Sequence, residues 1–278
     1  MPMFLYDVTL NGVSMSSLAD EIIIRDIVEL APEIDRQTAK RALHAGTRVT
    51  STVRRSLSVK VVYVVRAYEG VRRAEILDQI AAWCAGGGLM TINTRPGKRL
   101  FVQPADTPRL DSSMKWADDL SLTLTAYEQP YWEDEEAVSV SVTSQWVEAQ
   151  GQHFFADVIR PAGSVPRVPL TLMLYNTSKT DPLTHIKIVS EDTFMEFEGL
   201  NLAPGTLFGG SISVSYTQND VQQITNIMAQ SPEEISLLKY RTAESSDDLL
   251  VSSGKDNQLY VYADQPFWGK IDARGRWL

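Results

Sequence analysis

The sequence has one cysteine, three histidines and no long apolar run, and each scarcity removes a class of protein. Cys84 alone allows no internal disulfide and no cysteine-based zinc site. His44, His153 and His185 stand at no i, i+4 spacing and precede no Cys or Glu in a metalloenzyme pattern, so each reads as an ordinary surface or strand histidine and no cofactor is expected. The longest apolar stretches, such as Val61 to Val65, are far below the ~20 residues that span a bilayer, so no membrane partner is expected. The start Met-Pro-Met-Phe-Leu-Tyr-Asp lacks the basic region and the ~7–15-residue apolar core of a signal peptide. The expectation is a soluble protein made in a reducing compartment. Hydrophobic residues at 44% and charged residues at 22% exclude disordered, collagen-like and coiled-coil chains. The length of 278 residues, at ~150 per domain, points to two domains.

Charge is present but unevenly placed. The formal net charge is −9, which argues against a protein that coats nucleic acid with its whole surface. Between Arg36 and Arg73, however, ten basic residues stand against one acid, Glu69. That segment carries +9 and leaves −18 for the remainder. It lacks aromatic interleaving before Tyr63 and matches no zinc-finger or RNA-binding signature. Such segregation suits a directional partner, a protein or a neighbouring copy with acidic surface, against the plainer alternative of a solvated arm. Arg36, Lys40, Arg41, Arg48, Arg54 and Arg55 are the candidate interface residues.

The periodicities predict a mainly β chain. Leu57, Val59, Val61, Tyr63 and Val65 alternate with Ser58 and Lys60 and predict a strand entering the core. Ala74, Leu77, Ile80, Ala81 and Cys84 form a helical stripe within Val71 to Ala85, stopped by Gly86-Gly-Gly88. Pro96-Gly97 suits a type II turn between strands at Leu89 to Asn93 and Arg99 to Gln103. Leu120, Leu122, Leu124 and Ala126 mark a half-buried strand within Trp116 to Tyr127. The acidic run Glu133 to Glu136 reads as a self-repelling boundary between domains 1–135 and 136–278. Beyond it, Val138 to Val142, Leu170 to Tyr175, His185 to Val189, Phe194 to Phe197, Ser211 to Tyr216 and Gln258 to Tyr262 read as short strands, which indicates a sandwich. Val221 to Ala229 is read as a short helix or a loop, Glu244 to Asp248 as a solvated loop.

Catalytic constellations are thin. Asp118-Asp119, Glu233-Glu234 and Asp247-Asp248 are adjacent pairs that point to opposite faces of a strand, whereas glycosidases need carboxyls converging at ~5–9.5 Å. Cys84 sits on the helix stripe and shows no nearby base. Gly86-Gly-Gly88 follows a helix and is not followed by Lys-Ser/Thr, so it is no phosphate loop. The expectation is therefore a protein that is not an enzyme.

The order of elements carries a resemblance. Phe4 to Gly12 leads to a polar basic segment with Pro32-Glu-Ile-Asp35, then the Leu57 to Val65 strand, the Glu75 to Trp83 helix, the Pro96-Gly97 hairpin and the Leu120 to Tyr127 strand ending in Pro130-Tyr-Trp132. That succession resembles the N-terminal ring-forming domain of distal tail proteins of long-tailed, siphovirus-type bacteriophages. Leu249 to Tyr262 and Gly275-Arg-Trp277 are similar to the last strands of their galectin-like sandwich. Val142 to Val165 departs from the pattern and reads as an insertion or a long linker.

The resemblance implies an α+β N-terminal domain of antiparallel strands with one helix, and a C-terminal galectin-like β-sandwich. It also implies a structural virion protein at the tail tip, assembled in the host cytoplasm. Members form homo-hexameric rings between the tail tube protein and the tail-tip hub, with the tape measure protein a further neighbour. Two placements of the basic segment stay open, on the adjacent subunit or lining the channel where DNA passes. A rival reading makes the sandwich a binder of host glycan, with Trp146, Trp268 and Trp277 as the aromatics that could stack on sugar.

Overall fold

The computed structural model describes residues 6–32, 34–40, 47–106, 117–127, 129–191, 193–211, 222–225, 233–236, 238–246 and 249–278, with backbone alone at 39–40, 47–54, 117–119, 208–211, 222–225, 233–236 and 238. Its contacts divide the chain into two compact units, one ending at Glu135 with Leu278 added, the other Glu136–Trp277. The mainly β architecture expected from periodicity is what is found, with one α-helix among the described residues.

The first unit contains β1 (Val8–Leu10), β2 (Val13–Ser14), β3 (Ile22–Leu30), β4 (Ile34–Lys40), β5 (Thr47–Arg54), β6 (Leu57–Val65), α1 (Gly70–Cys84), β7 (Gly88–Ile92), β8 (Lys98–Pro104), β9 (Ala117–Ala126) and β10 (Trp132–Asp134). One antiparallel sheet runs in the order β2-β1-β7-β8-β9-β6-β3, with β10 also paired to β8. Alternation builds its core: Val59, Val61 and Tyr63 of β6 and Leu122 and Leu124 of β9 are solvent-free, because every second side chain of a strand faces the same side. Burial drives the Tyr63 phenol far above its ordinary pKa, with Cys84 adding to the effect. The buried helix stripe is Ile76, Leu77, Ile80 and Cys84, whereas Ala74 is exposed. Turning the larger Ile76 inward removes more apolar area from water than turning in an alanine.

The helix ends where expected, but the middle glycine does the work. Gly87 has φ +62°, its N–H donates to the Cys84 carbonyl at 2.9 Å, and a Cβ there would lie 2.4 Å from the Val102 carbonyl oxygen. In the β7–β8 connection, Gly97 has φ +73° and Lys98 N–H donates to the Arg95 carbonyl at 3.3 Å, the geometry of a type II turn. The acidic run is not a solvated boundary throughout. Glu133 and Asp134 lie in β10, opposite Arg99 and Lys98 of β8, and form ion pairs with them. Cross-strand opposite charges replace the expected self-repulsion.

The second unit holds β11 (Val138–Thr143), β12 (Gln145–Val147), β13 (Gln152–Ile159), β14 (Arg167–Asn176), β15 (Leu183–Ser190), β16 (Thr193–Leu202), β17 (Leu207–Ser211), β18 (Gln222–Thr225), β19 (Glu233–Ser236), β20 (Leu250–Ser252), β21 (Asn257–Ala263), β22 (Phe267–Ala273) and β23 (Arg276–Trp277). One sheet runs β11-β22-β14-β17-β18-β19 with β20 on β14, the other β12-β13-β21-β15-β16. Leu170, Leu172 and Ile271 from the first and Ile186, Phe197 and Val261 from the second share one buried cluster, so the unit is a sandwich.

Three sequence expectations are corrected here. The segment Val142 to Val165 is neither insertion nor linker, since β12 and β13 lie within it and β13 pairs with β21 over seven residues. Within Val221 to Ala229, Gln222–Thr225 is a strand paired with β17 and β19. Of Glu244 to Asp248, Ser245 is buried and its hydroxyl accepts from Glu196 N–H at 2.9 Å and donates to the Glu196 carbonyl at 3.2 Å. Residues 212–216 and 247–248 lie outside the described residues.

Candidate assembly interface

Two strands of the first unit stand apart from its sheet. Among the described residues β4 and β5 pair only with each other, in a two-stranded antiparallel ribbon that begins at Ile34 opposite Arg54 and ends at Lys40 opposite Thr47. The register slips once, since Gln37 faces Ser51 and Thr38 faces Val49, so Thr50 is the extra residue of a bulge. Along this register Arg36 stands opposite Thr52 and Arg48 opposite Ala39. Five of the six candidate residues therefore lie on the ribbon or at its base; Arg41 lies outside the described residues. Arg36 is exposed, and Arg55 meets Asp35 at 2.6 Å in an exposed ion pair.

The +9 segment is not all ribbon. Arg72 belongs to α1, where its Nε and Nη2 donate to the two carboxylate oxygens of Glu21 at 2.9 and 3.2 Å. This fork holds the Glu21 carboxyl below and the Arg72 guanidinium above their ordinary pKa values. Arg73 donates to the Ala67 and Tyr68 carbonyls at the start of the helix. The directional charge is thus that of Arg36 to Arg55.

The ribbon grows from an edge. Among the described residues β3 is the last strand of the sheet, paired only with β6, and it exposes Val28 and Leu30, followed by Ile34 at the start of β4. An edge strand with exposed apolar side chains is a template for another chain. The sequence reading missed β3 because a bulge interrupts it: Ile24 faces Tyr63 and Asp26 faces Val62, leaving Arg25 extra and putting Arg25 and Asp26 both in solvent. The triple isoleucine Ile22-Ile23-Ile24 was the signal available.

The candidate sugar-stacking residues are not gathered into one site. Trp146 sits in β12 of the five-stranded sheet, 57% exposed, with its ring edge-on to His153 at 5.1 Å. Trp268 sits in β22 of the other sheet, 52% exposed and stacked on Tyr175 at 4.7 Å and 10°. Trp277, in β23, is half-buried. A second aromatic group, Phe154, Tyr260 and Tyr262, faces outward from β13 and β21, with Phe154 5.0 Å from Tyr262.

As to reactive groups, Cys84 is buried and burial raises its thiol pKa, the opposite of what a nucleophile needs. Asp118-Asp119 lie in β9 and Glu233-Glu234 in β19. Among the described residues one group has metal-ligand composition, His185, Glu196 and Glu198 on β15 and β16. Among the described residues no helix is long and apolar enough to cross a membrane.

No family model and no curated protein matches the sequence. Solved structures do match in fold. The crystal structure of SPP1 Dit, described as a paradigm of the hub adsorption apparatus in phages infecting Gram-positive hosts, superposes with a TM-score of 0.63 at 13% identity, over 98% of this chain and 99% of that one. Chains of the phage P2 baseplate in its activated conformation, with Ca and with Sr, give TM-scores of 0.51 and 0.50 at 8% identity, over 95% of this chain and 97% of theirs. At these identities the likeness is one of fold, and across nearly its whole length the chain is Dit-like in fold.

Proposed function

We propose that this chain is a structural component of a siphovirus-type phage tail tip, forming a homo-hexameric ring that joins the tail tube protein to the tail-tip hub, with the tape measure protein as a further neighbour. The observation that carries this reading is the likeness of fold to SPP1 Dit over 98% of the chain, both units included. The ribbon supports the ring itself. In a closed ring each copy uses one surface to meet a different surface of the next, and a basic two-stranded projection beside an apolar edge suits that heterologous contact. The ribbon supplies orientation through charge, and Val28, Leu30 and Ile34 supply apolar area. The ring works in the virion at the tail tip after assembly in the host cytoplasm, and it is a scaffold with no enzymatic role, so purified protein releases no peptidoglycan fragments. Light scattering on the size-exclusion peak is expected to give six times the 31.0 kDa of one chain, whereas a single-chain mass at every concentration would remove the ring.

A second reading, a host-glycan module, is favoured by the exposed Trp268 stacked on Tyr175. Sugar rings stack on such faces. A glycan array probed with the full chain would show a signal lost in Trp268→Ala; a silent array removes this reading.

A further inference from the structure

We propose that the outer face of the five-stranded sheet holds a divalent transition-metal site of the zinc type, built from His185, Glu196 and Glu198. β15 and β16 are antiparallel neighbours in which His185 stands opposite Glu198 and Lys187 opposite Glu196, so these four side chains leave the sheet on one side. The His185 Nε2 lies 2.9 Å from Glu196 Oε1, and one ligand atom from each of His185, Glu196 and Glu198 falls within 4.8 Å of the others. Tetrahedral zinc with bonds of about 2.0–2.2 Å sets its ligand atoms about 3.3–3.6 Å apart. The histidine and Glu196 therefore need to part by well under 1 Å, and the exposed Glu198 needs to close by no more than about 1.5 Å.

The surroundings hold the ligands in place. The β15–β16 register slips between Leu183 and His185, and bulges re-aim the side chain beside them. The Asp264 carboxylate accepts the backbone N–H groups of Thr184 and His185 and the Thr184 hydroxyl, fixing the strand at the histidine. Lys187 Nζ donates to Glu196 Oε2 at 3.0 Å, so one oxygen of Glu196 is oriented from outside while Oε1 points at the histidine. Ligating carboxylates are commonly held by such an outer donor. Two carboxylates balance a dication. The imidazole selects zinc-like ions over calcium and magnesium, which take oxygen ligands. Three protein ligands leave the fourth position to water.

The site stands apart from the assembly reading, and its test does not involve the ring. Isothermal titration of the chelator-treated full chain with zinc chloride is expected to show one saturable site per chain, and calcium chloride no comparable heat. His185→Ala and Glu198→Gln are each expected to weaken zinc binding by about tenfold or more, on the scale found when metal-site groups are removed. Glu198 is exposed, so the second variant keeps its fold, as an unchanged far-UV circular dichroism spectrum and melting temperature in chelator would show. No saturable zinc binding, equal zinc binding by both variants and the wild type, or calcium binding as tight as zinc would each overturn the site.

Discussion

Asn257 has no exposed surface, and hydrogen bonds offset the cost of burying its amide. Its Nδ2 donates to the carbonyls of Ile159 and Ser252 at 3.0 Å and Lys255 at 2.9 Å, and its Oδ1 accepts the Ser252 N–H at 2.7 Å. One side chain thus ties the end of β13 to the turn between β20 and β21. Asn257→Ala leaves the buried Ile159 carbonyl without that donor and frees the turn, and is expected to lower unfolding free energy by about 1–3 kcal/mol in urea titration. His153 presents the opposite case. Its Nδ1 is shielded from solvent with no partner among the described residues, and burial holds its pKa below the ordinary 6.5 against the opposing pull of Asp264. The folded state therefore takes up a proton less readily than the unfolded chain. The stability tied to this group is complete above pH 6.5 and is lost as pH falls through the folded value. Melting temperature is expected to drop between pH 7.5 and 5, and less so in His153→Phe; equal slopes would contradict the assignment.

Elements with an uninterrupted period were legible in the sequence. β6 and β9 alternate cleanly, and α1 shows its stripe and its glycine stop. β3 and β5 were not legible: the extra residues Arg25 in β3 and Thr50 in β5 each break a period of two in mid-strand, so the edge strand and the ribbon were hidden. β12 and β13 were hidden for another reason. β12 is the three-residue edge strand of its sheet, and β13 beside it is half-exposed on both faces, which leaves little alternation to read. Charge points to five of the six interface candidates on the ribbon or at its base, whereas the apolar edge beside them has no charge signal. A lone two-stranded ribbon is marginal in water. In unassembled chain the amides of 34–40 and 47–54 are therefore expected to exchange much faster than those of β6 and β9, and to slow on assembly; equal protection in the single chain would contradict an open ribbon. Arg54→Glu with Arg55→Glu breaks the exposed pair to Asp35, which contributes under about 1 kcal/mol, so the fold survives. Ring formation is expected to weaken, most at low salt, where the charges are least screened. Hexamers unchanged by the reversal would exclude the ribbon as the contact.

For the whole molecule, a net charge of −9 conceals a basic ribbon in an otherwise acidic chain, a segregation that suits contact between copies in the proposed ring. A repeated heterologous contact closes into a ring when its rotation divides the circle. The chain shares its fold with SPP1 Dit over 98% of its length, and the proposed ring rests on that likeness. Negative-stain images of the purified chain test the central claim most directly. The account predicts six-fold rings with a central opening, and a uniform field of single two-unit particles at high protein concentration and low salt would contradict it.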